Sequence, residues 1–196
     1  MQPAVIAILA LCLVASAAPA FADAPLLRPT RDVDITYRAT APAAMQDNAP
    51  DSKRLEQRVR WQAASQIMRI DPPSPGVFVI IDYVARHMSM VRQADRSVMD
   101  MAAPDDMVGV AGNPATGNYT RDGEATVAGL PCTDWQTQGR DGQPVTLCIT
   151  ADGVMLRAAI DGHTLITAIS VQYAPQDPAE FRVPPDYAHH AAGAAR

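Results

Sequence analysis

Apolar and polar residues alternate along most of this chain, and a period of two predicts β-strands rather than helices. Residues 31–38 set Val33, Ile35 and Tyr37 against Asp32, Asp34 and Thr36. Leu55, Val59 and Trp61 share one parity, with Arg58 and Arg60 on the other. That favours a second strand, although the Leu55-to-Val59 spacing leaves a helix open as the alternative. Residues 66–71 predict a short strand that Pro72-Pro73-Ser74-Pro75-Gly76 stops. The run Val77-Phe78-Val79-Ile80-Ile81-Asp82-Tyr83 is dense in β-branched and aromatic residues and predicts a buried strand. Residues 87–91 and 98–101 predict a hairpin turning at Ala94-Asp95. Residues 102–118 read as loop, with room for a short helix near Asp105. Asp-Gly pairs then punctuate the chain at Asp122-Gly123, Asp141-Gly142, Asp152-Gly153 and Asp161-Gly162, a hairpin signal because both residues tolerate positive φ. Between these turns, Val154, Leu156, Ala158 and Ile160 are expected on one face. Leu165, Ile169, Val171 and Tyr173 are expected on one face of the following strand.

These elements predict a mainly β (α+β) fold: a curved, half-open antiparallel sheet of about eight or nine strands with little helix. Alternation of this kind implies one covered and one wet face. With few helices to cover it, the sheet must curl on itself or fold over a small helical element.

The ends of the chain read differently from the middle. Residues 1–22 contain no Asp, Glu, Lys or Arg, run apolar from Val5 to Val14, and finish on Ala20-Phe21-Ala22. That is the pattern of a cleavable signal peptide, cut near Ala22. Residues 23–30 are expected to be a flexible arm, residues 31–187 a single antiparallel-sheet domain, and residues 188–196 a frayed Ala-rich tail. Leu11 stands before Cys12 where a lipoprotein anchor wants a small residue, and no other stretch is apolar enough for a transmembrane anchor. A periplasmic or secreted protein is expected. The net charge of −5 argues against nucleic-acid binding.

Two cysteines remain after export, Cys132 and Cys148. In an oxidising compartment a structural disulfide is expected, with a redox pair or a metal site as the alternatives. A hairpin loop centred on Arg140 would set the two opposite each other.

The methionines are the most distinctive feature. The hairpin at Ala94-Asp95 would place Met90 opposite Met99 and Met88 opposite Met101, four thioethers on one face. Three readings follow: apolar lining of the inner face, a cavity for apolar ligands of varied shape, or a soft-metal site selecting Cu(I). His87 and His163 are isolated in sequence, and His189-His190 has no preorganised third ligand. No metal site or cofactor is expected from the histidines. There is no G-x-S-x-G, H-E-x-x-H, phosphate loop or C-x-x-C, so no catalytic residues are assigned.

Two segments carry a family resemblance. Gly123-Glu124-Ala125-Thr126-Val127-Ala128-Gly129-Leu130-Pro131-Cys132 is similar to a "G-E-x-x-V-A-G-x-x-C" stretch of a family of secreted bacterial domains of unknown function. Asp177-Pro178-Ala179-Glu180-Phe181-Arg182-Val183-Pro184-Pro185-Asp186-Tyr187 resembles that family's closing segment, with Asp186 where Gly is usual. Arg69-Ile70-Asp71-Pro72 and Ile81-Asp82-Tyr83 resemble a strand pair of the Lol lipoprotein carriers (LolA/LolB-like), whose fold this family resembles. The resemblance implies a half-open sheet able to hold acyl chains.

The expectation is therefore an exported, non-enzymatic binding protein. It would hold a lipid, the acyl part of a lipoprotein or another amphipathic ligand in its concave face. Trp61, Met68, Val79, Met88, Met90, Met99, Met101, Leu156 and Ile169 would line that face. The competing expectations are an envelope interaction or assembly domain whose concave face is filled by its own helix, and a soft-metal protein using the methionines.

Overall fold

The computed structural model describes residues 24–40, 56–103 and 112–191. The expected signal peptide, Leu55 and the short helix near Asp105 lie outside the described residues. Twelve strands follow in chain order: β1 Val33–Ala39, β2 Glu56–Gln62, β3 Ile67–Asp71, β4 Val77–Asp82, β5 His87–Arg92, β6 Ser97–Ala102, β7 Thr120–Val127, β8 Leu130–Gln138, β9 Pro144–Ile149, β10 Met155–Ile160, β11 His163–Gln172 and β12 Ala188–Ala191. They form one sheet in the order β12-β6-β5-β4-β3-β2-β1-β11-β10-β9-β8-β7. All pairs are antiparallel except β12 with β6, which run parallel.

The architecture is mainly β and open, as expected, but the strand count is twelve rather than eight or nine. Two local features account for much of the difference. Ala128 and Gly129 take φ of 49° and 77° and make a two-residue turn between Val127 and Leu130, splitting what reads as one segment into β7 and β8. Of the C-terminal residues expected to fray, Ala188–Ala191 instead pair as β12. Conversely, Asp122-Gly123 is no turn: β7 runs straight through it, with the register shifting between Arg121 and Gly123 as a bulge.

Alternation puts Val33, Ile35, Tyr37, Val59, Trp61 and Ile81 on one face. These join Val127, Cys132, Cys148, Val154 and Leu156 from the far end of the sheet order in one buried cluster. Strands so far apart meet only because the sheet curls, with this face inward. The outer face carries a smaller cluster of Phe78, Ile80, Val91 and Val98, covered by Val183 and Tyr187. A turn of 3-10 helix over Pro178–Phe181, capped by the Asp177 side chain, brings the closing segment there. Arg60 fastens it, donating to Glu180 Oε2 at 2.7 Å and to Asp71 Oδ2 at 2.6 Å, while Arg69 pairs with the same two carboxylates.

Bulges reset the parity of β11. Thr36 faces Ser170 but Tyr37 faces Ala168, which leaves Ile169 as the extra residue. Inward positions are therefore Ile166 and Ala168 before the bulge, then Val171 and Tyr173 after it. Leu165 and Ile169 point out, 43 % and 38 % exposed, correcting the expectation that they share a face with Val171. Leu165 is itself the extra residue against β10, and Leu156 the extra residue against β9.

Cys132 and Cys148 sit at bonding distance, with Cα atoms 5.4 Å apart. Their register differs from the expected one: Cys148 faces Asp134, so Cys132 is its diagonal neighbour. A shift by two residues keeps every side chain on its own face, and both cysteines remain in the inner core.

Leu156 is sealed in the core and Ile169 is not. Leu156→Ala is therefore expected to cost about 2–5 kcal/mol in urea unfolding, and Ile169→Ala less than about 1 kcal/mol. Equal losses would refute the bulge-driven parity switch. Replacing both Cys132 and Cys148 with Ser should cost about 3 kcal/mol, the loop-closure value for a loop of this size. Alkylation of the oxidised protein should find no free thiol at either position.

Candidate functional site

The centre of the concave face is occupied by the chain itself. Residues 24–30, expected to be a flexible arm, lie against it. Trp61 Nε1 donates to Pro29 O at 2.8 Å, and the Arg28 guanidinium stacks 4.1 Å above the Tyr83 ring. Trp61 in turn meets Tyr83 edge-on, with centroids 5.6 Å apart. Gly153 permits the crossing: a Cβ there would stand 2.3 Å from Arg28 O. Thr30 N also donates to Asp152 O at 3.0 Å. Burial lowers the Arg28 pKa, against a smaller opposing pull from the Tyr83 oxygen. It raises that of Tyr37, whose hydroxyl donates to Met155 O at 2.5 Å.

Of the residues expected to line a ligand slot, Trp61 and Leu156 are fully buried. Met68, Val79 and Met88 are partly buried against the same core. Ile169 is turned outward by its bulge. The methionine register is as expected: Met88 faces Met101 and Met90 faces Met99. The second of these pairs is open, with Met90 36 % and Met99 44 % exposed. Beside it β12 sets His190 against Met99. Met90, Met99 and His190 share a recess of about 200 Å³ with Arg92, Ser97 and Val98. Nothing in the sequence of residues 188–191 signals this placement, since four exposed residues with two alanines show no strand alternation.

On the opposite face, one carboxylate gathers groups that look unrelated in sequence. Asp100 Oδ1 accepts from Ser89 Oγ at 2.7 Å and from His87 Nε2 at 3.0 Å, and Oδ2 accepts from His189 Nδ1 at 2.5 Å. Desolvation opposes ionisation of Asp100. The bonds from His189, Ser89 and His87 outweigh it and bring its pKa down to about 2. This cluster ties β12 to the sheet.

At the other end, the curl stays open. A cleft of about 650 Å³ lies between β7–β8 and the β9–β10 turn. Glu124, Ala125 and Thr126 form one wall, and Thr150, Asp152, Arg31 and Tyr173 face them. Arg31 stacks on Tyr173 at 3.5 Å and pairs with Asp152 at 2.8 Å. Tyr173 and Thr150 hydroxyls both donate to Asp152 Oδ1. Desolvation opposes ionisation of Asp152 as well, yet the bonds from Thr150, Arg31 and Tyr173 lower its pKa. These four side chains satisfy one another, so their wall of the cleft is a neutral, preorganised rim. None of the nine expected slot residues lines it. The signal available in sequence was indirect: β7 and the start of β8 carry the family-like Gly123–Cys132 stretch.

No group of three His, Cys, Asp or Glu among the described residues is arranged to hold a metal. Among them, no helix is long and apolar enough to cross a membrane.

No family model matches this chain, and no curated protein does. Solved structures do resemble it. An uncharacterized conserved protein from Thermus thermophilus aligns with a TM-score of 0.55 and 14 % identity, covering 83 % of this chain and 91 % of that one. PNGF-II aligns with a TM-score of 0.52 and 12 % identity over 83 % of this chain, which spans only 32 % of that protein. A looser likeness, TM-score 0.45 and 12 % identity, covers 83 % of this chain and 60 % of MucB and is too distant to argue from. At these identities the likeness establishes the β-rich fold alone.

Asp100 is held ionised by the fold, so its stabilisation is present above the unfolded carboxylate range and lost as pH falls through about 2. Asp100→Asn should lower unfolding free energy at neutral pH by on the order of 1 kcal/mol, discounted for solvent screening. The gap between wild type and variant should close as pH falls from about 4 to 2. A gap that persists at the acid end would refute the linkage.

Proposed function

We propose that this protein is an exported, non-enzymatic binding domain that docks an extended segment of a protein partner in the cleft beside β7. The observation that carries this reading is the filling of the centre of the concave face: Trp61 and Leu156 are 0 % exposed, and Pro29 O accepts the indole N–H. A carrier needs free volume to bury an acyl chain, and here the arm takes that volume. A large space is open at the mouth of the curl, where β7 is an edge strand of the sheet. An edge offers unpaired backbone groups to an added strand. The paired Arg31 and Asp152 on the facing wall offer polar contacts.

Export is supported by the uncharged apolar leader in residues 1–22 and by the Cys132–Cys148 pairing, which oxidising compartments favour. A non-enzymatic role is supported by the polar groups of the Asp152 wall, which neutralise one another rather than leaving a poised base or nucleophile.

A lipid held in the concave face is the second reading. Met68, Val79 and Met88, only partly buried, and the resemblance of Arg69-Ile70-Asp71-Pro72 and Ile81-Asp82-Tyr83 to the Lol carriers favour it. It requires the arm to swing away from Trp61.

A photo-crosslinker placed at Thr126 of the exported protein should give protein adducts, and Ala125→Trp, which fills the cleft, should abolish them. A fluorescent fatty acid at micromolar protein should show no saturable binding. Saturable binding that Val79→Trp abolishes would overturn docking in favour of the lipid reading.

A further inference from the structure

The open methionine pair is used neither by the core nor by the docking cleft. Met90 and Met99 face each other across β5 and β6, and His190 faces Met99 from β12. Directly paired residues on neighbouring strands stand about 4.5–5.5 Å apart at Cα, close enough for their side-chain ends to converge. All three line one recess of about 200 Å³. Met90 and Met99 lie on the same face as Val79 and Met88, but beyond the buried cluster that those two pack against. Core packing does not explain why two facing thioethers are left 36 % and 44 % exposed.

We propose that Met90, Met99 and His190 form a Cu(I) site, with two thioether sulfurs and one imidazole nitrogen as ligands. The donor set selects the ion. Thioethers are soft and uncharged, and favour Cu(I) over hard cations. Mg²⁺ and Ca²⁺ want carboxylate or carbonyl oxygens, and the recess lining contains no carboxylate side chain. Zn²⁺ is most often held by thiolate, imidazole or carboxylate, of which the recess supplies one imidazole. Arg92, the cation in the lining, is paired with Asp95 at 2.7 Å and donates to Ser97 Oγ at 3.3 Å, so its charge is met locally. The compartment adds a reason. Where thiols are oxidised, as Cys132 and Cys148 are here, thioethers remain the available soft ligands. Asp100, behind the sheet, holds His189 and thereby fixes β12 so that His190 faces the methionines. The site goes beyond the docking reading and does not depend on it.

The test is titration of the full exported protein with Cu(I) against a competing chromophoric chelator. Wild type should take one equivalent from the chelator. His190→Gln and the Met90→Leu/Met99→Leu pair should each weaken binding about tenfold or more, while Met88→Leu/Met101→Leu should stay within about twofold. Thermal unfolding of each variant checks that the fold is kept. His190→Gln, at an exposed edge position, carries the test if the methionine pair proves unstable. Wild type that leaves Cu(I) with the chelator, or binds it unchanged after His190→Gln, overturns the proposal. So does equal competition by Zn²⁺.

Discussion

Trp61 sits where only a curled sheet can put it. Its ring is sealed among residues from both ends of the strand order, and its indole N–H would be an unsatisfied buried donor but for Pro29. A long alternating sheet with almost no helix must hide its apolar face against itself. Trp61 is the volume around which it does so. The arm over residues 24–30 follows from that need, because the curl leaves an opening above the ring. Gly153 follows in turn, since the arm's backbone passes too close for any side chain there.

Curling also strains a uniform alternation. A strand that passes from one part of the curl to the next has to change which parity faces inward. β11 does so with Ile169, and β10 with Leu156. Each bulge adds a residue and local twist, and each changes what the sequence pattern means beyond it. The same steps leave the two ends of the sheet chemically different. The β7 end stays open as a polar-rimmed cleft. The β6 end is closed by a parallel strand that presents one imidazole to each face: His189 to Asp100, His190 to Met99.

The closing segment shows how charge serves this packing. Arg60 is 7 % exposed and lies between Asp71 and Glu180. A charge so placed is tolerable only with partners on both sides. Breaking the cluster would leave it stranded beneath the segment that carries Phe181, Val183 and Tyr187. The outer apolar patch of Phe78, Ile80, Val91 and Val98 is thus covered by residues that ion pairs hold in place.

Sequence alone determined the local terms. A period of two made a strand of residues 33–39, a dense β-branched run made one of residues 77–82, and the turn at Ala94-Asp95 fixed which methionines face each other. Those readings rest on neighbours within one hairpin, where spacing is geometry. The cysteine pair was legible in face but not in register, because a loop tolerates a two-residue slip that parity does not detect. What only the tertiary structure decided depends on partners distant in sequence. Ile169 points outward because a bulge against β1 absorbs the curl. Trp61 has its indole N–H met because the arm crosses the concave face. His190 joins Met90 and Met99 because a tail without alternation finds a free edge on β6. No local pattern encodes these, since each is set by where a curled sheet has room left.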